Sequence, residues 1–481
     1  MRNLYKFYII AIVSLLFTAC SEDYLETSPT NQISDQDVFK TAEGAQTVLD
    51  GVKRDMRNKR DYDDQFGIKT IDLAQDLMGE DIAVERFHWF SHDYTMVNRG
   101  ATYPRPIYAW TLFYRIIYNV NGVINNIDEA SSDSETLKQN LKAQALTLRA
   151  FSYFKLIQLF QHTYVGNEDK PGVPLYLEGT VDGKGRGTVK IVYNQIVKDL
   201  DEAIRLFEES ALPQRHISDL TLNVAQGIRA RVALVMNDWE KAATMANAAR
   251  TGYAIMSPDA FASGFDSYKQ QNWMWGLEVN TEQSTTYASW FSHMDWTILG
   301  YCGAGYSPKS YGLALFNEMD DNDIRKQLVD DNAIESGRLI PHKFAAGGDK
   351  EFAADYVMMR PEEMLLIEAE ARARRGKDVQ AQTLLKELRE NRYSIPVIVN
   401  QTGTDLLNEI LLERRIELWG EGFRALDIKR LKIGVDRTNS NHDPLMAVQM
   451  LMPAGSNLFV YQIPQDEIDA NENIGEGDQN P

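Results

Sequence analysis

An acidic and basic cluster at residues 413–427 has the residue types that could do chemistry. Glu413, Glu417 and Glu421 recur every four residues, so on a helix they share one face. Two carboxylates held close together could be the acid and base of a glycoside hydrolase. Like charges this close also need neighbouring cations, and the sequence supplies Arg414, Arg415 and Arg424. We therefore interpret the cluster as a structural ion-pair network rather than a catalytic pair.

Two histidines form the second candidate site. His88 and His92 are four residues apart and Asp93 follows, a spacing that could bind a metal on a helix. The stretch is aromatic and loop-like, however, and no third ligand is evident. HExxH, CxxC, P-loop and GxSxG motifs are also absent. We predict no metal site, no catalytic residue and no cofactor, and hence a protein that is not an enzyme.

The elements that must position these residues are helices. Apolar residues recur at helical spacing along several stretches, including Ala42, Ala45, Leu49 and Val52, then Leu137, Leu141, Ala145 and Leu148, and then Ile196, Leu200, Ala203 and Phe207. Trp110, Trp239 and Trp419 lie on such stripes and are predicted to be in the core. In the charged C-terminal segment, Thr404 is expected to cap the helix. Gly422 is expected to end it with positive φ, which turns Arg424 back toward a carboxylate.

Two helical hairpins share one spacing of small residues. Ala230 and Ala242 are separated as Ala369 and Ala381 are, and small side chains let antiparallel helices approach closely. This spacing resembles the tetratricopeptide repeat. The fold class predicted is mainly α, a tetratricopeptide-like scaffold with few short strands. Residues 251–350 are rich in Gly, Ser, Tyr and Trp and read as a loop-rich lobe inserted into it.

The first residues predict a secreted, lipid-anchored chain. Arg2 and Lys6 precede a short apolar run, then small residues and Cys20, as in a bacterial lipoprotein signal. The alternative is a plain cleaved signal with a chance cysteine. We predict a signal peptide at residues 1–19, a lipidated tether at 20–35 and one ligand-binding body at 36–481. The other cysteine, Cys302, is expected to be a buried free thiol. A net charge of −19 argues against nucleic acid and anionic lipid as ligands.

Three linked segments resemble a known family. Residues 360–371 open a helix, residues 413–427 carry the charge cluster, and residues 479–481 close the chain. Further matches are Trp110, Tyr114, Ile117 and Asn121, residues 148–151, Arg186 with Tyr193 and Asp199, residues 323–325, and Ile463 with Pro464. Together they resemble the SusD/RagB family of Bacteroidetes outer-membrane nutrient-binding lipoproteins. In that family the charged motif is structural.

The resemblance implies a function and a partner. It implies a lipoprotein anchored through Cys20 on the outer face of the outer membrane, which residues 21–23 support as an acidic export tag. It implies capture of an oligo- or polysaccharide and delivery to a SusC-like TonB-dependent transporter. The alternatives are a peptide- or glycoprotein-binding member of the same fold and, from another class, a secreted hydrolase.

Ligand-binding residues are predicted from composition and position. Sugar rings stack their apolar faces on Trp and Tyr, while polar side chains bind the hydroxyls. Family members carry such aromatics in the loop before the Trp110 helix and in the lobe near 270–310. We predict ligand contacts from the aromatic and polar residues at these two places. They are Trp89, Asp93, Asn98 and Arg99 in the first loop and Trp290, Trp296, Tyr301 and Tyr306 in the lobe. Each of these rings could instead be a packed loop aromatic.

Overall fold

The computed structural model describes residues 37–180, 182–269, 272–332 and 338–481. The predicted leader, Cys20 and the tether lie outside these residues. Helices dominate the described part. The long ones are α1 (Ala42–Asp55), α2 (Ile68–Leu77), α3 (Pro104–Asn126), α4 (Glu135–Phe160), α5 (Val189–Ser210), α6 (Leu222–Val235), α7 (Trp239–Arg250), α8 (Pro361–Arg374), α9 (Asp378–Glu390), α10 (Gly403–Glu417) and α11 (Arg424–Leu431).

Within the described residues the strands are short and pair in twos. They are β1 (Ile82–Val84), β2 (Pro171–Pro174), β3 (Arg186–Thr188), β4 (Trp275–Leu277), β5 (Lys309–Tyr311), β6 (Val329–Asp330), β7 (Ile340–Pro341), β8 (Tyr356–Met359), β9 (Val435–Asp436) and β10 (Leu451–Met452). The antiparallel pairs are β1 with β5, β2 with β3, β4 with β8, β6 with β7, and β9 with β10.

The long helices stack in sequence order. From α3 to α6 each helix packs on the next, and α6 packs on α7. Helix α7 then packs directly on α8, although residues 251–350 separate them in sequence. Short helices occur in and after this insertion, at Pro258–Phe261, Trp290–Met294, Leu313–Glu318, Ile324–Gln327, Pro444–Ala447 and Gln465–Ala470. The insertion therefore leaves the helical stack and returns to it at the same place.

The two predicted hairpins are confirmed as α6–α7 and α8–α9. In the first, Asn237 adopts a left-handed turn with φ 59°, and the Asp238 side chain caps α7 by accepting a hydrogen bond from the Lys241 amide at 3.1 Å. In the second, Gly376 provides the turn with φ 67°. The alanines between the helices are fully buried, which allows the close approach that the spacing predicts.

Core positions on the long helices agree with the helical pattern. Trp110 and Trp419 are buried as predicted, whereas Trp239 is half-buried, with the Arg374 guanidinium 4.7 Å above its ring. The expected Thr404 cap is wrong, because α10 begins at Gly403 and Thr404 lies inside it. The expected positive φ at Gly422 is confirmed at 92°, but the helix ends earlier, at Glu417.

Candidate functional site

Glu413 and Glu417 of α10 are buried and paired with arginines. Glu417 is inaccessible to solvent and accepts hydrogen bonds from Arg360 at 2.6 Å, from Arg325 at 3.0 Å and from Arg392 at 2.9 Å. Glu413 accepts from Arg325 at 2.7 Å and from Arg389 at 2.6 Å. A carboxylate held by two or three arginines out of contact with solvent has no route to a substrate proton.

The charged residues that follow α10 are paired in the same way. Burial would raise the pKa of the Glu421 carboxyl, but Arg360 and Lys343 outweigh it and hold that pKa at about 2. Arg424 turns back as predicted, and its guanidinium donates to Glu80, the residue before Asp81 and β1. The prediction of a structural ion-pair network is confirmed, since every one of these carboxylates is an acceptor for a buried cation.

Aromatic side chains from two loops meet on the surface. Trp89 lies 6.1 Å from Tyr301 between ring centroids, and Tyr301 lies 6.4 Å from Tyr306. His88 lies between them, 5.3 Å from Tyr301, and Tyr287 packs edge-on against Tyr301 at 5.9 Å. We name these five residues the aromatic platform. Tyr306 and Tyr287 are 61% and 49% exposed, so the platform offers ring surface to solvent.

Buried residues support the platform from below. The His293 imidazole is completely buried and stacks under Tyr301 at 5.0 Å with an angle of 15° between the rings. Burial lowers the pKa of His293 well below 6.5, so the ring is neutral, and Nε2 donates to the Asp63 carbonyl at 2.9 Å. A neutral imidazole fixed by this hydrogen bond gives Tyr301 a rigid base.

Strand pairing fixes the distance between the two loops. Strands β1 and β5 pair from Ile82 with Tyr311 to Val84 with Lys309, which brings the Trp89 loop beside residues 301–307. The Ser307 hydroxyl then donates to the Trp89 carbonyl at 2.9 Å. Lys309 is buried beneath, and its ammonium donates to Ser307 oxygens at 2.9 and 3.1 Å. The loops are therefore joined by backbone and side-chain hydrogen bonds rather than by ring contacts alone.

One carboxylate lies at the edge of the platform. The Tyr301 hydroxyl donates to Asp63 at 2.6 Å, and Lys59 pairs with the same carboxyl. Burial would raise the pKa of Asp63, but the hydrogen bonds from Lys59 and Tyr301 lower it overall. A half-buried, charged carboxylate beside exposed rings is the combination that binds sugar hydroxyls.

The structure corrects several predicted ligand residues. Asp93 is buried behind the platform, where its carboxylate accepts two hydrogen bonds of 2.9 Å from Arg105. Asn98 is buried too and donates to Asp93 at 3.2 Å. Trp290 is 2% exposed and packs on Phe344 at 5.4 Å. None of these three side chains can contact a ligand, because each is enclosed by protein.

Two further predicted residues lie apart from the platform. The Trp296 indole donates to the Lys309 carbonyl at 2.9 Å, and the Arg338 guanidinium covers its ring at 5.6 Å. Arg99 donates to the Asn457 carbonyl at 3.2 Å and to the carbonyl of Pro481, so it anchors the end of the chain. Of the eight predicted residues, Trp89, Tyr301 and Tyr306 are the ones brought together.

Sequence reasoning missed three members of this surface. Tyr287 lies in the same lobe as Tyr301 and its type alone could have drawn attention to it. His88 was considered only as a metal ligand, although its ring contacts three platform aromatics. Asp63 gave no signal, because it comes from a loop far away in sequence. Within the described residues no cluster of three or more His, Cys, Asp or Glu side chains could hold a metal, and Cys302 is a buried free thiol as expected.

A bilayer-spanning helix is not found either: across the described residues, no helix combines the necessary length and apolar character.

Known proteins similar to this chain share one description. Residues 23–234 match the family described as "SusD-like_3: Starch-binding associating with outer membrane", and residues 339–481 match "SusD_RagB: SusD family". SusD-like protein P2 of Formosa agariphila is 25% identical over 89% of this chain and 91% of its own length.

Two solved structures of SusD-like proteins superpose on most of this chain. A SusD-like carbohydrate binding protein from Bacteroides vulgatus superposes with a TM-score of 0.80 at 27% identity, covering 92% of this chain and 98% of that one. A SusD superfamily protein from Bacteroides thetaiotaomicron superposes with a TM-score of 0.79 at 24% identity, covering 92% of this chain and 100% of that one. At 24% identity, the second similarity shows a shared fold but does not identify a ligand.

Proposed function

The chain belongs to the SusD/RagB family, and from this premise we propose that it binds a carbohydrate on the aromatic platform. The observation that carries the proposal is the meeting of Trp89, Tyr301 and Tyr306 above the buried His293. Rings fixed in place before the ligand arrives lose little side-chain entropy on binding. The 27% identical relative described as a carbohydrate binding protein supports the same ligand class.

The platform suits a sugar better than an extended peptide. Its rings are tilted or edge-on to each other, so their exposed parts form separate stacking surfaces. Asp63 provides an acceptor for hydroxyl groups at the edge. The nearby strands β1 and β5 are only three residues long, which offers a short edge for a peptide to extend.

Binding is tested by titrating the purified protein with oligosaccharides and peptides while following tryptophan fluorescence. We expect a saturable change with one class of glycan and none with peptides. Tyr306→Ala should weaken that binding roughly tenfold, since a lost aromatic contact is worth about 1–1.5 kcal/mol, without lowering the melting temperature. Tyr118→Ala is the matched control, because Tyr118 is 63% exposed and outside the platform. Failure of every glycan to bind would refute the proposal.

The proposed role extends to uptake. The family is associated with the outer membrane, and we propose that lipidated Cys20 holds the body on the outer face, beside a SusC-like TonB-dependent transporter that receives the glycan. Protease treatment of whole cells should remove the body if it faces outward. Affinity purification of the lipidated protein should recover the transporter in stoichiometric amount. Survival of the intact chain after protease treatment would contradict the outward orientation. Recovery of the protein without any transporter would contradict the proposed partner.

A further inference from the structure

A large charged cleft lies along α1. It encloses about 640 Å³ between α1, the loop at residues 215–219 and the loop at residues 278–283. Its basic side chains are Lys53, Arg54, Arg57 and Arg215, against the acidic side chains of Asp50, Asp219 and Glu278. In a protein of net charge −19, a cleft with more cations than anions is unusual.

Half of these cations are already neutralised. Lys53 pairs with Asp219 and, at 3.1 Å, with Asp50. Arg215 pairs with the same two carboxylates, at 3.0 Å to Asp50 and 3.4 Å to Asp219. The Glu278 carboxylate is bound by His216 Nε2 at 2.6 Å. The acidic side chains of the cleft therefore have closer partners than Arg54 and Arg57, although Glu278 still attracts Arg57 at longer range.

Arg54 and Arg57 have no carboxylate within ion-pair distance among the described residues. Arg57 is half-buried, and its guanidinium donates to the Gln283 side-chain oxygen at 2.5 Å. Burial and the neighbouring Arg54 lower the pKa of Arg57, although the Tyr356, Glu278 and Asp355 side chains oppose part of this shift. A partly desolvated guanidinium next to a like charge is unfavourable unless an anion joins it. Its planar fork matches a carboxylate or a sulfate, which can accept two hydrogen bonds.

The cleft and the platform share two connecting segments. Arg57 faces the cleft, and the same chain continues to Lys59 and Asp63 at the platform edge. Likewise Gln283 lines the cleft, and its loop continues to Tyr287 in the platform. One ligand chain of several sugar units could therefore reach both places.

We infer that Arg57 and Arg54 form an anion subsite and that the bound glycan is acidic, with carboxylate or sulfate groups on its sugars. The inference rests on the proposed carbohydrate function and names its substrate class. The platform stacks one sugar ring, and the arginines bind the oxyanion of another unit along the chain. Carboxylate and sulfate groups both present an oxyanion to the arginines. Ligands that carry uronates and ligands that carry sulfate esters are therefore tested separately.

The test compares three ligand sets by calorimetry with the purified protein: neutral gluco-oligosaccharides, oligogalacturonates and sulfated galactan oligosaccharides. We expect one acidic set to bind at least tenfold more tightly than the neutral set. Arg57→Gln should weaken acidic binding roughly tenfold, because it removes the charge that strengthens the hydrogen bonds to the oxyanion, and should leave neutral binding unchanged. Arg54→Gln tests the subsite at an exposed position, where folding is not at risk.

Arg205→Gln is the matched control, because it removes the same charge from an exposed position on α5. Equal affinity for neutral and acidic glycans, or wild-type acidic binding by both cleft variants, would overturn the subsite. If neutral glycans still bind and Tyr306→Ala weakens them, the proposed function stands while this inference fails. If no glycan binds at all, both fail.

Discussion

Replacing Glu417 by glutamine tests whether the charge cluster is structural. The carboxylate accepts four charge-assisted hydrogen bonds, at 2.6 Å from Arg360, 2.9 and 2.9 Å from Arg392 and 3.0 Å from Arg325. Glutamine keeps the shape but removes the charge. It also turns one acceptor oxygen into an NH₂ group that faces arginine donors.

The expected loss is large for one substitution. Breaking a buried ion pair from one side costs about 3–5 kcal/mol, because the remaining charge stays buried. Here the arginines keep other acceptors: Arg325 retains Asp323, and Arg360 retains Glu421. We therefore expect the lower end, about 3 kcal/mol, which is a sizeable part of a typical unfolding free energy of about 5–15 kcal/mol.

Urea unfolding measures this loss as a lower midpoint with an unchanged slope. Glu390→Gln is the matched control, because it makes the same chemical change in an exposed pair with Lys386 at 3.6 Å, worth about 0–1 kcal/mol. A Glu417→Gln loss below about 1 kcal/mol, or one equal to that of the control, would refute the reasoning. Glycan turnover by the wild type that this variant abolishes would instead favour the hydrolase.

Three further outcomes follow from other buried contacts. Arg149→Lys should lower the unfolding free energy by about 1.5–3 kcal/mol, since lysine cannot reproduce the two 2.7 Å bonds to Asp199; unchanged urea unfolding would contradict this. Ala246→Leu should destabilise by about 1–3 kcal/mol through overpacking between α7 and its neighbours, seen as a lower melting temperature, whereas the exposed Thr244→Leu should not. Glu421 has a folded pKa of about 2 against its usual 4.5, so its stabilisation is complete above pH 4.5 and disappears as the pH falls toward 2. The gap in unfolding free energy between wild type and Glu421→Gln should shrink over that range, and a constant gap would be inconsistent with the pairing.

The helical scaffold was predictable because its signals are local. Helical periodicity marks α1 and α5, and the alanine spacing marks the α6–α7 and α8–α9 hairpins. A side chain on such a stripe has its burial decided mainly by its own helix, which is why Trp110 was placed correctly in the core. The charge cluster was also readable, since three glutamates spaced four residues apart must find cations.

The loop residues were less predictable because their environment comes from distant segments. Trp290 is buried by Phe344 and Lys69, and neither is near it in sequence. Asp93 looked like an exposed polar residue beside Trp89, yet Arg105 encloses it from the start of α3. Asp63 reaches the edge of the platform only because the chain folds its carboxylate against the Tyr301 hydroxyl. No periodicity or composition encodes such contacts.

The buried charge cluster and the aromatic platform are physically connected. Arg325 and Lys343 both belong to the lobe at residues 251–350, and their charged groups bind Glu413, Glu417 and Glu421 of the C-terminal scaffold. Lys343 also donates to the carbonyls of Glu417 and Trp419 at 2.8 Å. These bonds fasten the lobe that carries Tyr287, Tyr301 and Tyr306 to α10. In the proposed function the family motif would therefore serve binding indirectly, because rings that are held on a fixed lobe keep the spacing that a ligand requires.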